Sequence, residues 1–204
     1  KELTDNFIDL DENPRKFFVQ DVLESYKEYC QHWKSNDWGQ NQLLRKGINI
    51  ATALYHFSEH LPSNIRSTIN TLEARCLDYV LVRDITNVSK HKTITKYTPR
   101  ISDAAQIYEA VTITLFSDDK GEYPAPQLEV YLKLNDSTER KLTEILYNVM
   151  LMWRDTLSQL NIVDIKTIPK PINDKPLTRK EATQKRSHLH IMQGEDFKAH
   201  LHLL

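Results

Sequence analysis

Arg83-Asp84-Ile85-Thr86-Asn87-Val88-Ser89-Lys90-His91 gathers the side chains most capable of chemistry in this 204-residue chain. On an ideal helix Asp84, Asn87 and His91 fall within an arc of about 60°. An imidazole that exchanges a proton near neutral pH, a guanidinium that stabilises negative charge and a carboxylate or amide that orients the imidazole make up a kit for metal-independent RNA cleavage. The same side chains have a structural reading. Asp84 or Asn87 bonds a neighbouring loop, and His91 caps carbonyls at the helix C-terminus, where a cation meets the negative end of the helix dipole.

Other histidines suggest a metal. His188 and His190, then His200 and His202, alternate with apolar residues around Gln193-Gly194-Glu195-Asp196. In a hairpin, i and i+2 side chains share a face, so two strands could offer four imidazoles to zinc or a similar ion. Solvated histidines near a chain end are the commoner meaning of such a pattern, and no cysteine supports the set. His56 and His60, one helical turn apart, could pair on a metal or simply edge a helix. Glu129 and Lys133, with Asp118 and Asp119 before them, faintly resemble the acidic and lysine set of restriction-type nucleases, but that chemistry needs the carboxylate and lysine two apart rather than four. Trp33, Trp38 and Trp153 sit in or beside apolar helical faces, where core packing is the default.

The elements that must position these groups follow from periodicity. Asn13-Pro14 offers an N-cap and a proline at the first helical position, after which Phe18, Val22, Tyr26, Tyr29, Cys30 and Trp33 recur at helical spacing until Ser35-Asn36-Asp37. A second helix is expected from about 40 to 60 and a third, open to a kink, from about 65 to 91. Alternation then takes over: 92–98, 111–116 and 128–134 read as strands, the last two forming a hairpin around Ser117-Asp118-Asp119-Lys120-Gly121. Asn135-Asp136-Ser137 is expected to cap a further helix to about Leu160. Pro169, Pro171 and Pro176 punctuate a linker or strap, and a short terminal hairpin follows. The fold expected is therefore mainly α: a bundle of four or five helices over 1–160 with a small antiparallel β-hairpin inserted at about 111–134, then a linker and C-terminal arm over 161–204.

A long helix ending in an arginine, a polar residue and then a histidine resembles the HEPN (higher eukaryotes and prokaryotes nucleotide-binding) superfamily of helical bundles. The matching positions are Arg83, Asp84 and His91, with a longer gap from arginine to histidine than the family's usual one. The resemblance covers the helices from about 14 to 91 and the one after Asn135. It implies a dimer formed around the helix that carries His91, a place in bacterial defence or toxin-type systems, and endoribonuclease activity in active members. The alternative is a non-catalytic adaptor or regulatory subunit that binds a protein effector through the hairpin and C-terminal arm.

Composition sets outer limits. With 27 basic and 28 acidic residues the formal net charge is −1, so any contact with RNA needs a local basic patch. Four glycines and no glycine-rich phosphate loop argue against a Rossmann or P-loop site, and no cofactor is expected. Cys30 and Cys76 read as buried free thiols of a reducing compartment, and no apolar run is long enough to span a membrane, so the cytoplasm is expected.

Overall fold

The computed structural model describes residues 13–36, 41–91, 94, 97–171, 177–189 and 199–201. The chain is mainly helical, as its periodicity implies. The first helix is α1 (Asn13–Lys16), which widens into a π-helical segment (Phe17–Leu23) and continues as α2 (Glu24–Ser35). The four-residue step from Phe18 to Val22, Tyr26 and Cys30 explains the widening. In a regular α-helix such steps drift around the axis, whereas a turn that holds more residues keeps all four side chains buried on one side.

Next come α3 (Gln42–His56), a 3-10 turn (Phe57–His60), α4 (Ile69–Arg75) and α5 (Asp78–Lys90). The expected single helix over 65–91 is thus two. Thr68 caps α4 by accepting from Thr71 N at 3.3 Å, and Cys76 ends it in an extended conformation. Within 92–98, residues 92, 93, 95 and 96 lie outside the described residues; 94, 97 and 98 are not in a strand.

A long hairpin, β1 (Ile107–Asp118) and β2 (Gly121–Lys133), pairs antiparallel from Ile107↔Leu132 to Asp118↔Gly121, starting earlier than the expected insertion and ending with it. Gly121 takes φ +100°, the left-handed backbone this turn requires. The cap expected at Asn135-Asp136-Ser137 is instead a turn. Asp136 accepts from Thr138 N at 2.9 Å, Ser137 sits at φ 69°, and β3 (Glu139–Lys141) pairs with β2 before α6 (Leu142–Gln159) begins. Asn161, at φ 56°, ends α6 while Ile162 N reaches back to Leu157 O at 3.0 Å, the Schellman closure. The following strap contributes Val163 and Ile168 to the core.

The terminal hairpin is not formed as expected. Thr178 and Glu181 build a capping box for α7 (Arg179–Leu189), and β4 (Ala199–Leu201) lies parallel to β1, giving the sheet order β3-β2-β1-β4. One apolar core joins the helices to the face of the sheet carrying Ile107, Val111, Leu128, Val130 and Leu132. Its centre is aromatic: Trp153 meets Phe57 and Tyr79 edge-on and donates to Leu54 O at 3.1 Å.

Candidate functional site

On α5, Arg83, Asp84 and Asn87 close into a network. Asp84, fully buried, accepts from Tyr97 Oη at 2.8 Å, from Arg100 N at 2.6 Å and from Arg83 Nε at 3.2 Å. Asn87 donates to the same Tyr97 hydroxyl at 2.8 Å. Arg83 donates to Glu73 of α4 at 2.6 Å, and its guanidinium lies 3.9 Å from the centroid of the Tyr97 ring. The helix thus holds down the segment from Tyr97 to Arg100, and a buried carboxylate is matched by three donors, one of them a cation, as burial demands. His91 is not brought in. The helix ends at Lys90, and His91 turns into extended backbone (φ −126°, ψ 136°) with its N–H on Asn87 O at 2.9 Å. Its side chain is exposed and has no hydrogen bond among the described residues.

Of the histidines considered for a metal, His190 and His202 lie outside the described residues. His188 falls in α7 and His200 in β4, so the two-stranded hairpin that would have aligned them is absent. Among the described residues no three His, Cys, Asp or Glu side chains gather as a metal would need. His56 is held between Glu59 at 2.8 Å and Lys90 at 2.9 Å, while His60 stacks on Phe17. Asp118 is engaged by Arg179 at 2.7 Å, whose guanidinium holds the carboxyl down at about 2, and Lys133 is exposed at the end of β2, so the nuclease-like set does not assemble. Trp38 lies outside the described residues.

A second site emerges that spacing did not single out. Thr112, Thr114 and Phe116 of β1 and Ala125, Gln127 and Glu129 of β2 share the face opposite the main core, because the strand period is two and the register pairs Thr112 with Gln127. Over this face the C-terminal end of α2, the first two turns of α6 and Lys170, Pro171 and Leu177 enclose a cleft of about 570 Å³. Asn36 secures one wall. Its left-handed conformation turns its amide onto the free edge of β2, where Nδ2 donates to Pro126 O at 3.2 Å and Oδ1 accepts from Leu128 N at 2.7 Å. One side chain thereby does the work of a neighbouring strand. Gln127 adds a bond to Trp33 O at 2.8 Å.

Glu129 forms the floor of the cleft at 4% exposure. Thr143 Oγ1 donates to it at 3.3 Å, Lys141 and Glu144 stand near it, and burial pushes its carboxyl up to about 7. The Trp33 indole N–H lies beside this carboxylate without reaching hydrogen-bond geometry, so it is a buried donor with no partner. Tyr147 forms part of the wall, with Lys170 Nζ 5.8 Å from its ring centroid. Chemically the arrangement is a proton-accepting anion in an apolar, aromatic recess.

No family model, curated protein or solved structure matches the chain.

Proposed function

We propose that the chain is a HEPN-like bundle of four or five helices that serves as a non-catalytic adaptor or regulatory subunit for a protein effector. The observation that carries this reading is the Arg83 guanidinium. Its side chain is 14% exposed and is enclosed by Glu73, Asp84 and the Tyr97 ring. A ribonuclease of this type needs that cation aimed at the scissile phosphate, and here a phosphate would have to displace two carboxylates. The polar stripe is then a structural staple that makes α5 and the segment after it one rigid wall. The setting in a defence or toxin-type system rests on the resemblance alone.

The surface that suits an effector is the break between α4 and α5. Leu77 is 77% exposed there, beside the partly buried Cys76 and Leu151 and flanked by Arg75 and Asp155. Apolar side chains within a charged rim are the usual anatomy of a protein interface. Among the described residues no helix is long and apolar enough to cross a membrane.

A second reading, a homodimeric metal-independent ribonuclease acting on RNA, is favoured by the exposure of His91, which leaves its imidazole accessible. RNA-cleavage assays and melting curves on the wild type, His91→Ala and Arg83→Ala separate the two. The adaptor reading expects no cleavage by the wild type and an unchanged Tm for His91→Ala. Arg83→Ala should lower Tm by about 3 to 10 °C, because Asp84 and Glu73 lose their cation. Cleavage by the wild type that disappears in a folded His91→Ala protein would overturn the adaptor. Leu77→Asp should keep Tm and weaken capture of an effector encoded by a neighbouring gene by about tenfold.

A further inference from the structure

Buried anions in proteins are paired, protonated or waiting for a partner. Among the buried carboxylates of the described residues, Glu129 is the one whose surroundings leave a place for such a partner. Asp84 has three hydrogen bonds, one of them from a guanidinium, and Asp78 has Arg140 at 3.1 Å and Asn148 at 2.7 Å. Glu129 is nearly as buried, yet its carboxylate accepts only a long hydrogen bond from Thr143, at 3.3 Å, among the described residues. The groups around it are Lys141 on β3, Glu144 on α6, Tyr29 and Trp33 on α2 and Tyr131 on its own strand. Glu144 adds a second negative charge. Lys141 stands close enough to favour the ionised carboxylate, and Lys185 of α7 reaches the neighbouring Gln127 Oε1 at 3.3 Å.

The space above Glu129 has the dimensions of a ligand site, since small-molecule pockets run to about 300–1,000 Å³. Trp33, 6% exposed with its indole N–H unpartnered, lines the same space. Phe116, Tyr147 and Leu177 supply apolar and aromatic walls. Two carboxylates beside aromatic rings favour a positive charge whose body is apolar, through ion pairing and through attraction to the ring faces. Two carboxylates are too few oxygens for calcium or magnesium, which take six or more ligands.

We propose that the cleft over Glu129 is a binding site for a small organic cation, an ammonium or amidinium group seated on Glu129 with its apolar body among Trp33, Phe116 and Tyr147. This site is independent of the adaptor reading and of the α5 network. Lys141 acts as an internal competitor for the carboxylate, and Lys170, already near the Tyr147 ring, stands where the ligand's rim contacts form.

Benzylamine and benzamidine serve as probes and benzyl alcohol as the neutral analogue, with binding followed by calorimetry and by Trp fluorescence on the whole chain. Saturable binding of both cations is expected, at least about tenfold tighter than benzyl alcohol. Affinity should rise about tenfold from pH 6 to pH 8 as Glu129 ionises. Glu129→Gln should weaken binding about tenfold or more, and Glu144→Gln, at an exposed position, about two- to threefold. Lys141→Met should tighten it several-fold by removing the competing charge. Absence of saturable binding by either cation, equal binding of benzyl alcohol, or undiminished binding by a folded Glu129→Gln protein overturns the proposal. Weaker cation binding by Lys141→Met would do so as well, since it marks the cleft as an anion site.

Discussion

Two buried carboxylates, Asp84 and Glu129, show how much a side chain's role depends on what the fold brings to it. The first was legible as part of a helical stripe, since Asp84 and Asn87 are one turn apart. Its partners were not, because Glu73 comes from another helix and Tyr97 and Arg100 from a segment with no regular period. Glu129 was legible only as an alternating strand residue. Sequence proximity suggested Lys133, Asp118 and Asp119 as its company, whereas folding gave it Thr143, Lys141, Glu144 and Trp33, the last from the far side of the chain. For Glu129 the consequence is a stability that depends on pH. A carboxyl raised in the folded state to about 7 binds its proton more tightly there than in the unfolded chain, where it ionises near the ordinary value of 4.5. Its contribution is therefore fully present below about pH 4.5 and is lost as pH rises through about 7, a change on the order of 3 kcal/mol. Melting temperatures should fall from pH 5 to pH 8 in the wild type and fall less in Glu129→Gln. Parallel curves for the two proteins would mean that the carboxyl titrates normally.

At the scale of elements, helices were read well in type and less well in extent. The break at Cys76 carries no proline or glycine, so nothing local announced it. The late start of α6 has a local cause: Asp136 and Thr138 satisfy each other in a turn, which removes the cap expected at Asn135-Asp136-Ser137. For α7 a signal is present in Thr178 and Glu181, spaced as a capping box, while the alternation of 187–192 points the other way, to a strand. The join between α2 and β2 could not be foreseen, since Asn36 reads as an ordinary helix stop until the strand edge is beside it. Asn36→Ala removes both bonds to that edge and places an unfavourable side chain at φ 55°. A loss of about 2 to 4 kcal/mol is expected in chemical denaturation, with faster hydrogen exchange at Leu128. Asn36→Gly, which relieves only the backbone, should recover a minor part; full recovery would show that the amide contacts contribute little.

The whole molecule is organised around one main core, and Leu177 and α7 of its C-terminal part pack on its own hairpin. Ala182 of α7 is buried against Tyr123 and Ala125, Leu177 O accepts from Tyr123 Oη at 2.6 Å, and Arg179 holds Asp118 and Gly121 O. This cluster is small and separate from the main core, whereas the strap before it is anchored by Val163 and Ile168. Truncation after Pro171 should therefore leave a cooperative melt, lowered by a few degrees, while amides of 116–125 exchange faster. Complete unfolding would show that α7 is integral to the core, and unchanged exchange at the hairpin tip would show that the docking is weak.

The parallel pairing of β4 with β1 has a kinetic meaning. Val111 faces Ala199, so this edge closes only after nearly ninety residues have been brought round. Closing so long a loop carries an entropy cost that the hairpin, with its four-residue turn, avoids. During synthesis β1, β2 and β3 can pair as soon as they emerge, leaving the outer edge of β1 uncovered until the chain has lengthened past α7. In that interval an extended segment of any neighbouring polypeptide can add to the edge, and the nascent chain is at its most aggregation-prone.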